Sequence, residues 1–369
     1  MPSPAARLTL HSVGLRVVAA PLRRPIVSNP VVGRFTEWPF ILIDLRTHEG
    51  IVGRAYLEPY VLSSARYIVP AIEAAAERLA GAPLAPIDAY RSSVQTLNLH
   101  GREGVSLIAA AGLDMAIWDA FAKAANQPLA VCLGGSVGPV RAYNTNGLWL
   151  LPPGELAAQA QDLVAEGGFG AIKMRFGRST LAADLEAVRI VRDAIGPGVR
   201  LMSDFNQALD RGEALLRLHA LDDQGLQWFE EPIQFDDLDG SAQLARELKT
   251  PIQIGENIYG PRAFWRAVQA QAADLYMPDL MRIGGVTGWL RCAAIAGAAG
   301  LPLSSHLYPE VSAHLLRVSE SADWLEWRDW AHPFLAEPFE VRDGTVIVPD
   351  RPGNGIEWDE PAVKRLLKA

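Results

Sequence analysis

Ser203-Asp204-Phe205-Asn206, Trp228-Phe229-Glu230-Glu231-Pro232 and Ile254-Gly255-Glu256-Asn257 are three short segments built alike: a few apolar, strand-like residues and then a carboxylate. Asp204 stands 26 residues before Glu230, and Glu230 stands 26 before Glu256. One strand, one helix and two loops take roughly that length. Successive parallel strands would then bring the three carboxylates to the same end of one sheet. Three convergent carboxylate oxygens suit a hard divalent cation such as Mg²⁺.

The pattern around this stretch repeats the same unit. After Gly134-Gly135, strand-like and helix-like segments alternate to about residue 330. The strands expected are Ala142–Asn146, Ala171–Phe176, Leu201–Asn206, Gln227–Glu230, Ile252–Glu256, Asp274–Asp279, Leu303–His306 and Trp324–Trp327, with amphipathic helices such as Leu156–Glu166 and Leu181–Ile195 between them. About eight such units read as a parallel (β/α) barrel. The last connection, Glu326 to Phe334, is too short for a regular eighth helix.

The residues before the barrel have another character. Leu8 to Val18, Phe40 to Leu45 and Ile51 to Tyr56 are β-rich, and Ala-rich helices with a 3.6-residue period follow at about Ser63–Leu79 and Ser106–Ala124. The connection from Pro21 to Pro39 reads as a long, mixed loop, and long ordered loops often carry function. The tail from Phe339 to Trp358 is again strand- and turn-like. The expected organisation is an N-terminal α+β capping domain over 1–130, a barrel over 131–335, and a C-terminal segment over 336–369 that packs back on the cap.

Composition removes several function classes. The chain has 369 residues, 49% of them hydrophobic, and a net charge of −8. It carries no basic stripe, which argues against nucleic acid as a partner. Only Cys132 and Cys292 occur, which suits a reducing compartment and argues against a disulfide framework. No run of about 18 apolar residues is present, so no membrane span is expected, and the expected location is cytoplasmic.

In a barrel the C-terminal strand ends face the site. Reading them in order gives Lys173 and Arg175, Asp204 and Asn206, Glu230, Glu256, Asp279, His306 and Glu326. Lys173-Met174-Arg175 puts two cations on one face of a strand, beside the carboxylates. Asp279 lies one strand before His306; a carboxylate on one ring nitrogen fixes the tautomer and leaves the other as general base. Glu326, if buried and protonated, could donate a hydrogen bond to a developing oxyanion. His314 falls on a helix and reads as structural.

These segments, together with Ile283-Gly284-Gly285-Val286-Thr287-Gly288-Trp289, Trp324-Leu325-Glu326 and Ala111-Gly112-Leu113-Asp114-Met115-Ala116-Ile117-Trp118-Asp119, resemble the mandelate racemase subgroup of the enolase superfamily over nearly the whole chain. The resemblance implies a modified TIM barrel, (β/α)₇β, under an α+β cap. It implies one Mg²⁺ per subunit on Asp204, Glu230 and Glu256, a His306–Asp279 dyad, Glu326 as hydrogen-bond donor, a small carboxylic-acid substrate, and a homo-oligomer.

Two departures from the racemase pattern direct the choice of reaction. The racemase carries a second lysine, as base for the opposite face, where this chain has Arg175; a guanidinium stays protonated and is a poor base. In Ala55-Tyr56-Leu57-Glu58-Pro59-Tyr60, Glu58 stands where the racemase has an aromatic. Glu58, Arg34 and Asn29 suggest a polyhydroxylated substrate, with Asn206 and Tyr60 as further contacts. The expected activity is Mg²⁺-dependent abstraction of the proton α to a carboxylate, in an acid-sugar dehydratase giving a 2-keto-3-deoxy acid. The alternatives are a 2-hydroxy-acid racemase or epimerase and, last, a non-catalytic acid-binding protein.

Overall fold

The computed structural model describes residues 8–27, 34–99 and 101–368. The β-rich beginning folds as an antiparallel sheet in the order β1 (Leu10–Val27), β2 (Arg34–Thr47), β3 (Val52–Leu57). Most of the segment expected to be a loop is ribbon instead: Ile26 pairs with Phe35 and Val27 with Arg34, after a register shift beyond Pro21. Pro21 and Pro25 are tolerated because β1 is an edge strand, where a missing N–H breaks no ladder.

Helices α1 (Ala65–Glu77) and α3 (Val105–Ala124) pack on this sheet, and α2 (Pro86–Thr96), for which the sequence pattern gave no expectation, packs on α3. By length and composition α3 is apolar enough to cross a membrane, yet it is nearly all buried, against β3 on one side and the barrel on the other. Gly53 permits the close packing: a Cβ there would lie 2.0 Å from the Ala116 carbonyl oxygen.

The barrel strands are β4 (Pro139–Asn144), β5 (Ala171–Arg175), β6 (Arg200–Asp204), β7 (Leu226–Glu230), β8 (Ile252–Ile254), β9 (Leu275–Tyr276) and β10 (Leu325–Trp327). They pair in parallel in chain order from β4 to β9, and β10 pairs with β4 to close the ring. Residues 303–306 complete the circuit through the bridges Tyr276–Leu303 and Asp279–His306. An α-helix follows every position but the last, so the fold is a (β/α)₇β barrel with an α+β cap. Tyr143, Met202 and Trp228 fill the interior below the strand ends.

The two sequence motifs Ala111–Asp119 and Ile283–Trp289 meet in space. Asp114 on α3 accepts the Thr287 backbone N–H at 2.9 Å and its hydroxyl at 2.7 Å, at the N-terminus of the barrel helix Gly285–Ala299. Burial drives the Asp114 carboxyl up to about 7, and the hydrogen bonds and helix dipole offset that cost. The tail divides its contacts. β11 (Glu340–Arg342) and β12 (Thr345–Ile347) add to the barrel strand β4, while Trp358 donates to Asp44 and the Lys368 N–H to Val17 in the cap sheet.

Candidate active site

The parallel register sets the site level. Arg175 is opposite Asp204, and Asp204 is opposite Glu230, so three strand ends finish at one height. Glu256 follows β8 by two residues. Ligand oxygens of Asp204, Glu230 and Glu256 lie within 4.8 Å of one another, and all three residues are buried. Burial first, and Asp204 next, push the Glu230 carboxyl well above the usual carboxylate range. Burying three like charges together is costly unless a cation neutralises them. A set of three hard oxygen donors therefore fits Mg²⁺. Beside them, Glu231 is buried too, with Oε2 accepting from Asn257 at 2.6 Å and Oε1 without a partner among the described residues.

Lys173 is fully buried, with Nζ 2.6 Å from Glu230, 2.8 Å from Glu326 and 3.3 Å from Asp204. Burial opposes the ammonium, but Glu230, Glu326 and Asp204 outweigh it and hold its pKa above the ordinary lysine value. Arg175 is fixed from three sides. Nη1 donates to the Thr145 hydroxyl at 3.0 Å, the guanidinium lies 4.2 Å over the Trp149 ring, and Nε is 3.2 Å from Asp204. That last contact is an ion pair and not a hydrogen bond. Asn206 sits in the left-handed region (φ 45°), and its backbone N–H donates to Asp204 at 2.8 Å.

His306 and Asp279 form the expected pair: Nδ1 lies 2.8 Å from Oδ2. Asp279 also caps the short helix Leu280–Ile283 through the Arg282 N–H, which fixes its orientation. With Nδ1 on Asp279, Nε2 is the nitrogen that faces the site, 3.3 Å from Glu256. His314 accepts the Ala130 N–H on Nδ1 and lies outside the site.

Glu326 stands between two cations and a backbone N–H. Its Oε1 meets Lys173 and, at 3.3 Å, Arg328; its Oε2 accepts the Leu307 N–H at 3.0 Å. Burial alone would raise its pKa, but Arg328, Lys173 and His306 reverse that and hold the carboxyl well below the usual range. Arg328, Lys173 and His306 thus favour the ionised, accepting form of Glu326. The donor beside it is Arg328, which the sequence reading missed. Glu326-Trp327-Arg328 has the same alternation as Lys173-Met174-Arg175, and that was the available signal.

Two of the residues expected to contact substrate lie off the cavity wall. Glu58 is buried beneath Trp38, whose Nε1 donates to it at 2.7 Å, and burial raises its carboxyl to about 8. It is not on the cavity wall. Arg34 is exposed at the start of β2 and does not line the cavity either. Asn29 lies outside the described residues. Tyr60 does line the cavity, with its ring edge-on to Trp38 at 5.4 Å and its buried Oη without a partner among the described residues.

The cavity above the carboxylates has a volume of about 200 Å³. Its inner end presents Arg175, Asn206, Glu256, His306 and Arg328; its outer walls are Ile26, Phe35, Trp38, Tyr60, Val61, Trp149 and Trp330.

Comparison with known proteins agrees with this arrangement. Residues 12–134 match the model of the mandelate racemase/muconate lactonizing enzyme N-terminal domain, and residues 155–362 match the enolase C-terminal domain-like model. The chain is 32% identical to the L-talarate/galactarate dehydratase of Salmonella typhimurium, over 95% of this chain and 89% of that enzyme. It superposes with a TM-score of 0.96 on an enolase from the alphaproteobacterium Bal199 with bound Mg, at 52% identity, covering 98% of this chain and 100% of that one. An enolase from Bradyrhizobium complexed with magnesium and mandelic acid gives a TM-score of 0.94 at 38% identity, with all of both chains covered.

Proposed function

The chain belongs to the mandelate racemase/muconate lactonizing enzyme family of the enolase superfamily, and from that premise we propose that it is a hydro-lyase of the acid-sugar dehydratase type, converting a 2,3-dihydroxy acid to a 2-keto-3-deoxy acid. The observation that carries the choice is Arg175. A racemase needs a base on each face of the α-carbon, and here one face holds a guanidinium pinned by Thr145, Trp149 and Asp204. Elimination needs one base only.

Asp204, Glu230 and Glu256 would hold the Mg²⁺. When bound, it would neutralise the substrate carboxylate and stabilise charge that builds up on it. His306 Nε2 takes the α-proton while Asp279 holds Nδ1 and stabilises the imidazolium. Lys173 and Arg328 offer N–H donors to the carboxylate as it becomes an enediolate, and Glu326 orients both. The C3–O bond then breaks, the hydroxyl leaves as water with the proton returned by His306, and the resulting enol gains a proton at C3 as its C2 hydroxyl gives one up. Asn206 and Tyr60 are placed in this reading as contacts for substrate hydroxyls.

Incubation of hexonic, pentonic and aldaric acids with enzyme and Mg²⁺ tests the reading: a 2-keto acid supports it, and α-exchange with inversion alone contradicts it. Racemisation of a 2-hydroxy acid is the second reading, favoured by the aromatic outer wall and by the mandelic acid in the Bradyrhizobium relative. A homo-oligomer in the cytoplasm completes the proposal, to be checked by sedimentation and fractionation.

A further inference from the structure

The outer half of the cavity is made of rings. Phe35, Trp38, Tyr60, Trp149 and Trp330 surround the space beyond Arg175 and Arg328. Trp38 packs edge-on to Phe35 and Tyr60, with centroids 6.1 and 5.4 Å apart, and lies 4.7 Å from Trp330. Of their polar atoms, the Trp38 N–H goes to Glu58, and the Tyr60 Oη has no partner among the described residues. The two guanidinium carbons lie over Trp149 and Trp330, 4.2 and 4.3 Å from the ring centroids. Stacking fixes the arginines and closes one ring face each. The ends of the site are therefore opposite in character, charged at the strand ends and aromatic toward the cap.

A polyol chain running outward would find the Tyr60 Oη for one hydroxyl and set the others against aromatic carbon. Each hydroxyl buried without a partner lowers affinity by about tenfold or more. A ring or branched alkyl group in the same place would bury apolar surface against apolar surface and stack in offset or edge geometry.

Building on the dehydratase reading, we infer that the substrate is a short monocarboxylic 2,3-dihydroxy acid bearing an apolar, preferably aryl, group on C3. Its carboxylate and two hydroxyls sit at the Arg175, Arg328 and His306 end, and its ring sits among Phe35, Trp38 and Trp330. For 2,3-dihydroxy-3-phenylpropanoate, the C2–H proton goes to His306, the C3 hydroxyl leaves as water, and the enol becomes phenylpyruvate. No redox partner is needed.

The test supplies Mg²⁺-loaded enzyme with all stereoisomers of 2,3-dihydroxy-3-phenylpropanoate, beside galactarate, gluconate and arabinonate, in D₂O. The expected result is phenylpyruvate, with kcat/KM on the order of 100-fold above any polyhydroxylated acid. Dehydration of the polyhydroxylated acids with none of the phenyl acid overturns the inference and leaves the dehydratase reading standing. Exchange of the α-proton of the phenyl acid without loss of water does the reverse: the aromatic site stands and the dehydratase reading fails. A second measurement does not depend on turnover. The phenyl acid should quench tryptophan fluorescence, and Phe35→Ser should weaken that binding by about tenfold; no quenching by the phenyl acid in the unmodified enzyme overturns the inference.

Discussion

Replacing Glu326 by glutamine separates two roles that the same residue could hold. If Glu326 were a neutral acid donating a hydrogen bond, glutamine would replace it with little loss, being a neutral donor of similar shape. In the structure Glu326 is instead the charge between Lys173 and Arg328. Lys173 would keep Glu230 and Asp204 after the substitution. Arg328 would not keep an ion pair, because among the described residues its one salt bridge is to Glu326. Removing one partner of a buried pair costs roughly 3–5 kcal/mol, and the lower end applies because only one of the two cations is stranded. The expected effect is a loss of about 3 kcal/mol, a Tm lower by on the order of 5 °C. Activity should fall at least ~100-fold, the usual cost of a misplaced oxyanion donor. Calorimetry with Mg²⁺ present gives the first quantity and α-deuterium exchange the second. In an Arg328→Met background the stability cost of Glu326→Gln should shrink, since the stranded charge is gone. A Glu326→Gln enzyme with unchanged Tm and activity within about threefold would refute the reasoning.

Glu58→Gln should leave kcat/KM nearly unchanged, because the carboxyl lies under Trp38 and off the cavity wall. Glu58 has its pKa raised to about 8 by burial, so the folded state holds the proton more tightly and stability drains away as pH rises from the ordinary glutamate range toward 8; denaturant titrations at pH 5 and pH 8 should show a smaller difference for the glutamine variant. His306→Asn should cut α-proton exchange by about 10²–10⁴-fold, with Mg²⁺ affinity by titration calorimetry within a few-fold of the parent; equal exchange rates would remove His306 as the base. Glu256→Gln should weaken Mg²⁺ binding at least tenfold, since one of only three anionic ligands is lost, and unchanged binding heats would argue against the triad as the metal site.

The carboxylate triad was readable from spacing because a βα unit has a nearly fixed length, and parallel register then levels the strand ends. The pairing of Arg175, Asp204 and Glu230 across β5, β6 and β7 follows from that regularity. Asp279 and His306 were readable for the same reason. Ionisation was not. Burial alone argues for a protonated Glu326, and only the arrival of Lys173 from across the barrel and Arg328 from its own strand reverses it. Nor was side-chain direction in the cap readable. Glu58 sits beside Tyr60 in sequence, yet Tyr60 turns into the cavity from a positive φ while Glu58 turns under Trp38. The long ribbon of β1 and β2 was hidden by its prolines, which an edge strand accepts. The contact between Asp114 and Thr287 joins motifs 173 residues apart, a distance that no local pattern encodes.

The central claim is that a single base works on one face of the substrate, with Arg175 closing the other. The most direct measurement is to incubate single stereoisomers of 2,3-dihydroxy acids with the Mg²⁺-loaded enzyme in D₂O and follow both C2 and C3 by NMR. A 2-keto acid carrying deuterium at C3, with recovered substrate of unchanged configuration at C2, is the predicted result. Accumulation of the C2 epimer carrying deuterium, without any 2-keto acid, would contradict it.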